Sequence, residues 1–174
     1  MPIPEFIVRL REKIGHDPLW IPSVTAIVLR DSTDDSIWAV PEVLLVRRSD
    51  NGKWTPVTGI CEPGEEPHVT AVREVLEETG IEARVDALIG VGATKEVVHV
   101  NGDRATYMAT VLRLSPTGNQ DAVAGDDESS EVGWFSVTHL PVEDPQFRLL
   151  IADAVAQRKR PEGFTPRLGF TKRN

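Results

Sequence analysis

Cysteine is nearly absent from this chain: Cys61 is the only one in 174 residues. That excludes an intrachain disulfide and any zinc site built on four thiolates. Positive charge is in deficit, with 19 Lys and Arg against 27 Asp and Glu and a net charge of −8. Non-specific binding to nucleic acid or to an anionic membrane is therefore not expected, because both partners are negative themselves. An acidic protein that binds phosphates needs metal cations or a local cluster of Arg and Lys. No run approaches the roughly 18 apolar residues that span a bilayer. Met1-Pro2-Ile3-Pro4-Glu5 lacks the basic and apolar regions of a signal peptide, so a cytoplasmic location is expected. Internal repeats and low-complexity tracts are missing too, which leaves periodicity and punctuation to reveal the organisation.

What the chain does have is an ordinary apolar content, 40% of residues, enough for one buried core. Ile3, Phe6, Ile7, Leu10 and Ile14 recur at helical spacing, so residues 4–14 are expected to form an amphipathic helix that ends at Gly15. Strands are expected at Val24–Leu29 and at Val43–Val46, with Ile37 as an alternative start for the second. Residues 51–66 hold Gly52, Pro56, Gly59, Pro63 and Gly64 and are expected to be irregular. Pro67 then suits a first helical position, and Gly80 is placed to end that helix.

Further along, Ala87–Val91 reads as a strand, and Asn101-Gly102 as the turn of a hairpin between Glu96–Val100 and Ala105–Leu112. Residues 118–130 are polar and acidic, hence a loop, and Val132–Val137 is a last strand. Phe147, Leu150, Ile151, Ala154 and Val155 mark a C-terminal amphipathic helix. The expected organisation is a helix and linker at 1–20, one mixed α and β domain at 21–158, and a tail at 159–174, mobile or docked on a partner subunit. The two terminal helices are candidates for a homodimer face and equally for packing on their own domain.

The segment from Gly59 to Ile81, GICEPGEEPHVTAVREVLEETGI, concentrates the chemistry. Glu74, Glu77 and Glu78 stand at i, i+3 and i+4, so their carboxylates are expected on one helix face, opposite the stripe of Ala71, Val72, Val75 and Leu76. Three crowded carboxylates repel unless a cation sits among them, and hard oxygen donors suit Mg²⁺ or Mn²⁺ rather than zinc. An E-x-x-E-E run alone is usually just a solvated face with Arg73 as an ion-pair partner. The frame changes that. The segment fits G-x5-E-x7-R-E-U-x-E-E-x-G-U, with U aliphatic, at every fixed position: Gly59, Glu65, Arg73, Glu74, Val75, Glu77, Glu78, Gly80 and Ile81. A chance match is on the order of one in a billion windows.

This pattern is the Nudix box, and the chain resembles the Nudix hydrolase superfamily over roughly residues 21–158. The resemblance implies an α/β/α sandwich (α/β, or α+β) with a mixed sheet, in which the box forms a loop–helix–loop. It implies that Glu74, Glu77 and Glu78 bind metal and supply the base, that Arg73 orients them, that Glu65 is structural or lies in the outer shell of the metal, and that Gly59 is the loop glycine near which a backbone carbonyl can also meet the metal. Many relatives carry Gly-Gly before the box, whereas this chain has Pro56-Val57-Thr58-Gly59, so Thr58 puts a side chain near the substrate.

The implied activity is hydrolysis of a diphosphate bond in a small nucleotide substrate. A carboxylate from a later loop serves as base in some relatives. The run from Gly125 to Glu131 offers Glu128 first, and it reads equally well as a solubilising loop. Arg47, Arg48 and Lys53 are placed where basic residues reach phosphates, and they read equally as edge charges. Trp54 is placed either to stack on a base or to pack. The proline that tends to mark ADP-ribose hydrolases is replaced by Glu96 and Val97, and the tyrosine of dinucleoside polyphosphate hydrolases is missing. A MutT-like (deoxy)nucleoside triphosphate hydrolase is the first expectation, and ADP-ribose or a nucleotide sugar follows. The alternatives are a nucleotide-sensing module that does not cleave its ligand, and an isomerase on the same fold.

Overall fold

The computed structural model describes residues 3–33, 39–125 and 129–170. In chain order these form α1 (Glu5–Ile14), β1 (Leu19–Arg30), β2 (Glu42–Arg48), β3 (Trp54–Thr55) and β4 (Val57–Ile60). Then come α2 (Pro67–Thr79), β5 (Ala83–Ala93), β6 (Val97–Val98), β7 (Arg104–Pro116), β8 (Ser129–Ser136), α3 (Pro145–Lys159) and β9 (Arg167–Leu168). Ile37, the alternative start for the second strand, lies outside the described residues.

The centre of the sheet is a parallel pair, β1 and β7, in register from Leu19 opposite Ala105 to Val28 opposite Leu114. β5 lies antiparallel to β7 on its far side. The other edge of β1 is shared. Residues Ser23–Ala26 pair with β4, whereas Leu29 and Arg30 pair with β2. β2 in turn carries β3 and β8, both antiparallel. Two wings thus leave one strand edge, and the candidate residues gather where they part.

Residues 23–29 of β1 are buried on both sides, which explains their near-continuous apolar run. Val24, Ala26 and Val28 meet Ala71 and Val75 of α2. Ile27 and Leu29 face the other way and meet Leu150, Ile151 and Ala154 of α3. The mixed sheet is therefore sandwiched between helices, as expected. α1 adds a smaller cluster in which Ile7 packs on Ile21 and Ala105. Arg11 fixes its C-terminal end by donating to the carbonyls of Gly15, Asp17 and Arg104 at 3.0, 2.6 and 2.8 Å.

Three expectations need correction. Residues 51–66 are not wholly irregular, because β3 and β4 form there. Four residues suffice for β4, since the edge of β1 supplies a ready partner for Val57–Ile60. The glutamates of α2 do not all lie opposite its apolar stripe. Its buried residues are Thr70, Ala71, Glu74, Val75, Glu78 and Thr79, while Leu76 is 47% exposed. At about 100° per residue, Glu74 falls about 60° from Ala71 and Glu78 about 60° from Val75 and about 20° from Ala71, so both border the core.

The tail is the third. Through Phe170 it docks on its own domain, with β9 parallel to β5 at Gly90 and Val91, Gly169 N–H bonded to Val91 O at 2.8 Å, and Arg167 paired with Asp153 of α3 at 2.7 Å. Gly90 makes room for this strand: a Cβ there would lie 2.8 Å from the carbonyl oxygen of Arg167. Gly90→Ala should therefore cost about 1–3 kcal/mol, the usual range for overpacking. Hydrogen exchange should show the Gly169 amide losing protection while the amides between β1 and β7 keep theirs. Unchanged protection of Gly169 would refute the account.

Candidate active site

Gly59, paired with Val24 in the sheet, faces α2, and a side chain there would collide with the Cγ and carboxyl group of Glu74. The missing Cβ is what allows a carboxylate to sit under β4. Glu74 is fully buried. Its Oε1 accepts from Arg73 Nη1 at 2.9 Å, whereas Oε2 is buried without a hydrogen-bond partner. Burial pushes the Glu74 carboxyl up to about 8, opposed by Arg73 and reinforced by the charges of Glu78 and Glu77.

Arg73 organises the neighbourhood. It holds Glu65 with two parallel bonds, Nε to Oε1 at 2.8 Å and Nη2 to Oε2 at 2.9 Å. Its Nη1 also reaches Glu77 Oε2 at 3.1 Å. The fork geometry of guanidinium suits this bidentate grip, which lysine could not reproduce. Arg73 holds the Glu65 carboxyl down at about 2, and these acids in turn raise the basicity of Arg73. Glu65 is anchored a second time by the Glu62 N–H at 3.1 Å. α2 begins with Pro67 at its first turn and ends at Gly80 in a left-handed conformation, φ 68°.

The three helix glutamates do not converge on one point. Glu74 and Glu77 lean on Arg73, while Glu78, 5% exposed, accepts from Ser129 Oγ at 3.1 Å. Among the described residues no three acid, His or Cys side chains form a closed ligand set. The donors nevertheless fit a divalent cation. All are hard oxygens, and the unpartnered Glu74 Oε2 is a buried acceptor that a cation would satisfy.

Of the expected substrate residues, Arg48 stands opposite Ser129, which bonds Glu78. The bidentate pair of Arg48 with Asp50, at 2.9 and 2.7 Å, raises its basicity further, and the charge of Glu78 adds to that. Arg47 pairs with Glu131 at 2.6 Å and donates to Gly52 O at 3.0 Å. Lys53 lies 3.7 Å from Glu143, and Trp54 meets Phe135 edge-on with ring centroids 4.7 Å apart. Those last two are engaged away from the glutamates. Glu128 lies outside the described residues. Ser129 was missed: a serine within an acidic run carries no signal until the fold sets it against Glu78.

Residues 20–155 match the family model described as the NUDIX domain. The chain belongs to the Nudix family. Its matched residues form a NUDIX domain, built around the box at 59–81. A MutT-like protein of Streptomyces ambofaciens is 34% identical over 119 residues, 68% of this chain and 66% of that protein. A Bacillus subtilis protein, provisionally named an 8-oxo-dGTP diphosphatase, is 34% identical over 101 residues, 58% of this chain and 62% of that one. The chain thus spans less than two thirds of the length of these curated relatives. A crystal structure of an ADP-ribose pyrophosphatase from Streptococcus suis superposes with a TM-score of 0.61 at 21% identity, covering 85% of this chain and 98% of that one. At that identity the likeness shows the fold alone.

The burial of Glu74 makes a prediction about pH. Its folded-state value of about 8 lies above the ordinary 4.5, so between these limits the folded protein keeps a proton that the unfolded chain has released. Stability without divalent cations should therefore fall as pH rises from about 4.5 to 8. Glu65 acts in the opposite sense, because its contribution is lost as pH falls from 4.5 toward 2. Urea denaturation in EDTA across pH 5–8 should show the first slope in the native protein and a flatter one in Glu74→Gln. Equal slopes would refute the assignment.

A second prediction concerns Gly59→Ala. It should drive the Glu74 side chain from its seat and abolish most metal-dependent activity, with a melting temperature lower by several degrees. An active, normally stable Gly59→Ala protein would remove Glu74 from the site.

Proposed function

We propose that this chain is a divalent-cation-dependent pyrophosphohydrolase that cleaves the diphosphate linkage of a nucleoside diphosphate-linked substrate, first among them a (deoxy)nucleoside triphosphate. Mg²⁺ is the proposed ion and Mn²⁺ its substitute. The observation that carries this reading is the buried, unpartnered Glu74 Oε2 beside Gly59, an acceptor that costs stability unless a cation meets it. Glu74, Glu77 and Glu78 would hold the ion, which when bound would neutralise diphosphate oxygens and acidify a water.

The chain's own residues do the rest. Arg73 aims Glu74 and Glu77 from a fixed position set by Glu65. Arg48, beside Glu78, is the proposed first cation for a substrate phosphate, and Arg47 extends that charge along the same strand. Lys53, exposed beside Glu143, is assigned to the outer part of the substrate, and Trp54, which packs on Phe135 against the core on the α3 side, is assigned a packing role. Glu128 is the proposed carboxylate that takes the proton from the attacking water. The triphosphate preference rests on the missing downstream markers of other substrate groups and on the names of the two relatives.

The test is release of phosphate or pyrophosphate and nucleotide from the common (d)NTPs, 8-oxo-dGTP, ADP-ribose, a dinucleoside tetraphosphate and nucleotide sugars, with Mg²⁺ and then with EDTA. Metal-dependent cleavage of a nucleoside triphosphate is expected. Cleavage of ADP-ribose or a nucleotide sugar instead would move the substrate and keep the chemistry. Glu78→Gln should lower turnover by orders of magnitude while leaving the circular dichroism spectrum unchanged. Tight nucleotide binding with no product across the panel would make the chain a sensor.

A further inference from the structure

One stretch of chain grips Glu78 from two directions. The main-chain carbonyl of Glu78 accepts the N–H of Gly125 at 3.0 Å, and its Oε2 accepts the hydroxyl of Ser129 at 3.1 Å. The next carbonyl, of Thr79, accepts the N–H of Val123 at 3.0 Å. These are carbonyls of the last turn of α2, which have no partner within the helix. Gly125 comes so close that a Cβ on it would collide with the carbonyl oxygen of Glu77.

Both ends of the stretch are fixed from elsewhere. On one side Gln120 O accepts from Trp134 Nε1 at 2.9 Å, and Arg30 lies 4.2 Å over the Trp134 ring while paired with Glu42 at 2.7 Å. On the other, Ser129 begins β8 opposite Arg48. Ser129 and Glu78 are 4% and 5% exposed, so solvent is poorly placed to replace a lost hydroxyl.

We propose that Ser129 and Gly125 are positioning residues for Glu78, with Ser129 setting the direction of its carboxylate and Gly125 the turn that carries it. The metal-facing geometry of α2 is then set jointly by the helix and by the segment that enters β8. This rests on the reading of Glu78 as a metal ligand. Partners of this kind around a ligating carboxylate are commonly worth 10–100-fold in metal affinity or activity.

The experiment is Mn²⁺ binding to the full chain, followed by electron paramagnetic resonance, together with kcat, KM and thermal melting. Ser129→Ala should weaken Mn²⁺ about tenfold and lower kcat with little change in KM. Ser129→Thr, which keeps a hydroxyl, should recover most of both. Gly125→Ala should move in the same direction with faster exchange of the Val123 amide. Ser130→Ala, whose hydroxyl bonds the carbonyl of Arg47 at 3.2 Å, should bind Mn²⁺ as the native protein does. If Glu78→Gln weakens Mn²⁺ and Ser129→Ala does not, the positioning role is wrong and the metal reading stands. If Glu78→Gln also binds Mn²⁺ normally, both fall. Equal defects in Ser129→Ala and Ser129→Thr would likewise overturn the role of the hydroxyl.

Discussion

The guanidinium of Arg73 ties together a loop, a helix and a strand that would otherwise repel or drift. Glu65 comes from the loop, Glu74 and Glu77 from the helix, and the carbonyl of Ile60, 3.5 Å from Nη2, from β4. One permanently charged donor shared by four acceptor groups offsets part of the cost of burying Glu74, although burial still wins and raises its carboxyl to about 8. Without that cation Glu74 would be a buried acid beside two others, and the helix could not lie flat on β4. Its seat depends equally on an absence, since Gly59 contributes nothing but hydrogen. The parallel core of β1 and β7, and α2 packed upon it, hold these parts at the distances where one guanidinium reaches all of them.

Much of this was legible in the residues. The box named Arg73, Glu74, Glu77, Glu78, Glu65, Gly59 and Gly80, and the fold gathers five of them around the Arg73 guanidinium, with Glu78 turned to Ser129 and Gly80 closing the helix. The periodicity of residues 4–14 and of Phe147–Val155 placed both terminal helices to within a few positions. What is not legible is mostly tertiary, although the helical wheel alone already sets Glu74 and Glu78 beside Ala71 and Val75. The helix was read as having an apolar face and an acidic face, but Glu74 and Glu78 belong to the margin between the two. Position on a helical wheel tells which way a side chain points, and only the neighbouring strand tells whether it meets water or protein.

β4 and β9 escaped for a related reason. Both are short, both contain or adjoin glycine and proline, and neither would be a strand in isolation. Each exists because a longer strand offers an unpaired edge, which is information held tens of residues away. Ser129 is a third instance. Its partner Glu78 is 51 positions distant, and nothing in the intervening sequence hints at the encounter. The basic residues show the converse limit. Arg47, Arg48, Lys53 and Trp54 are near neighbours in sequence, yet they diverge to Glu131, Asp50, Glu143 and Phe135.

The docked tail has a bearing on solubility. β5 is the outer long strand of its wing, and toward its C-terminal end Gly90 and Gly92 would leave a bare, unencumbered stretch of backbone. Such stretches are templates on which another chain can add itself. By laying Arg167–Leu168 along Gly90–Val91 and Phe170 against Gly92, the molecule supplies its own strand at the place where a stranger's would fit best. The two glycines that weaken the edge are thus also what lets the tail cover it.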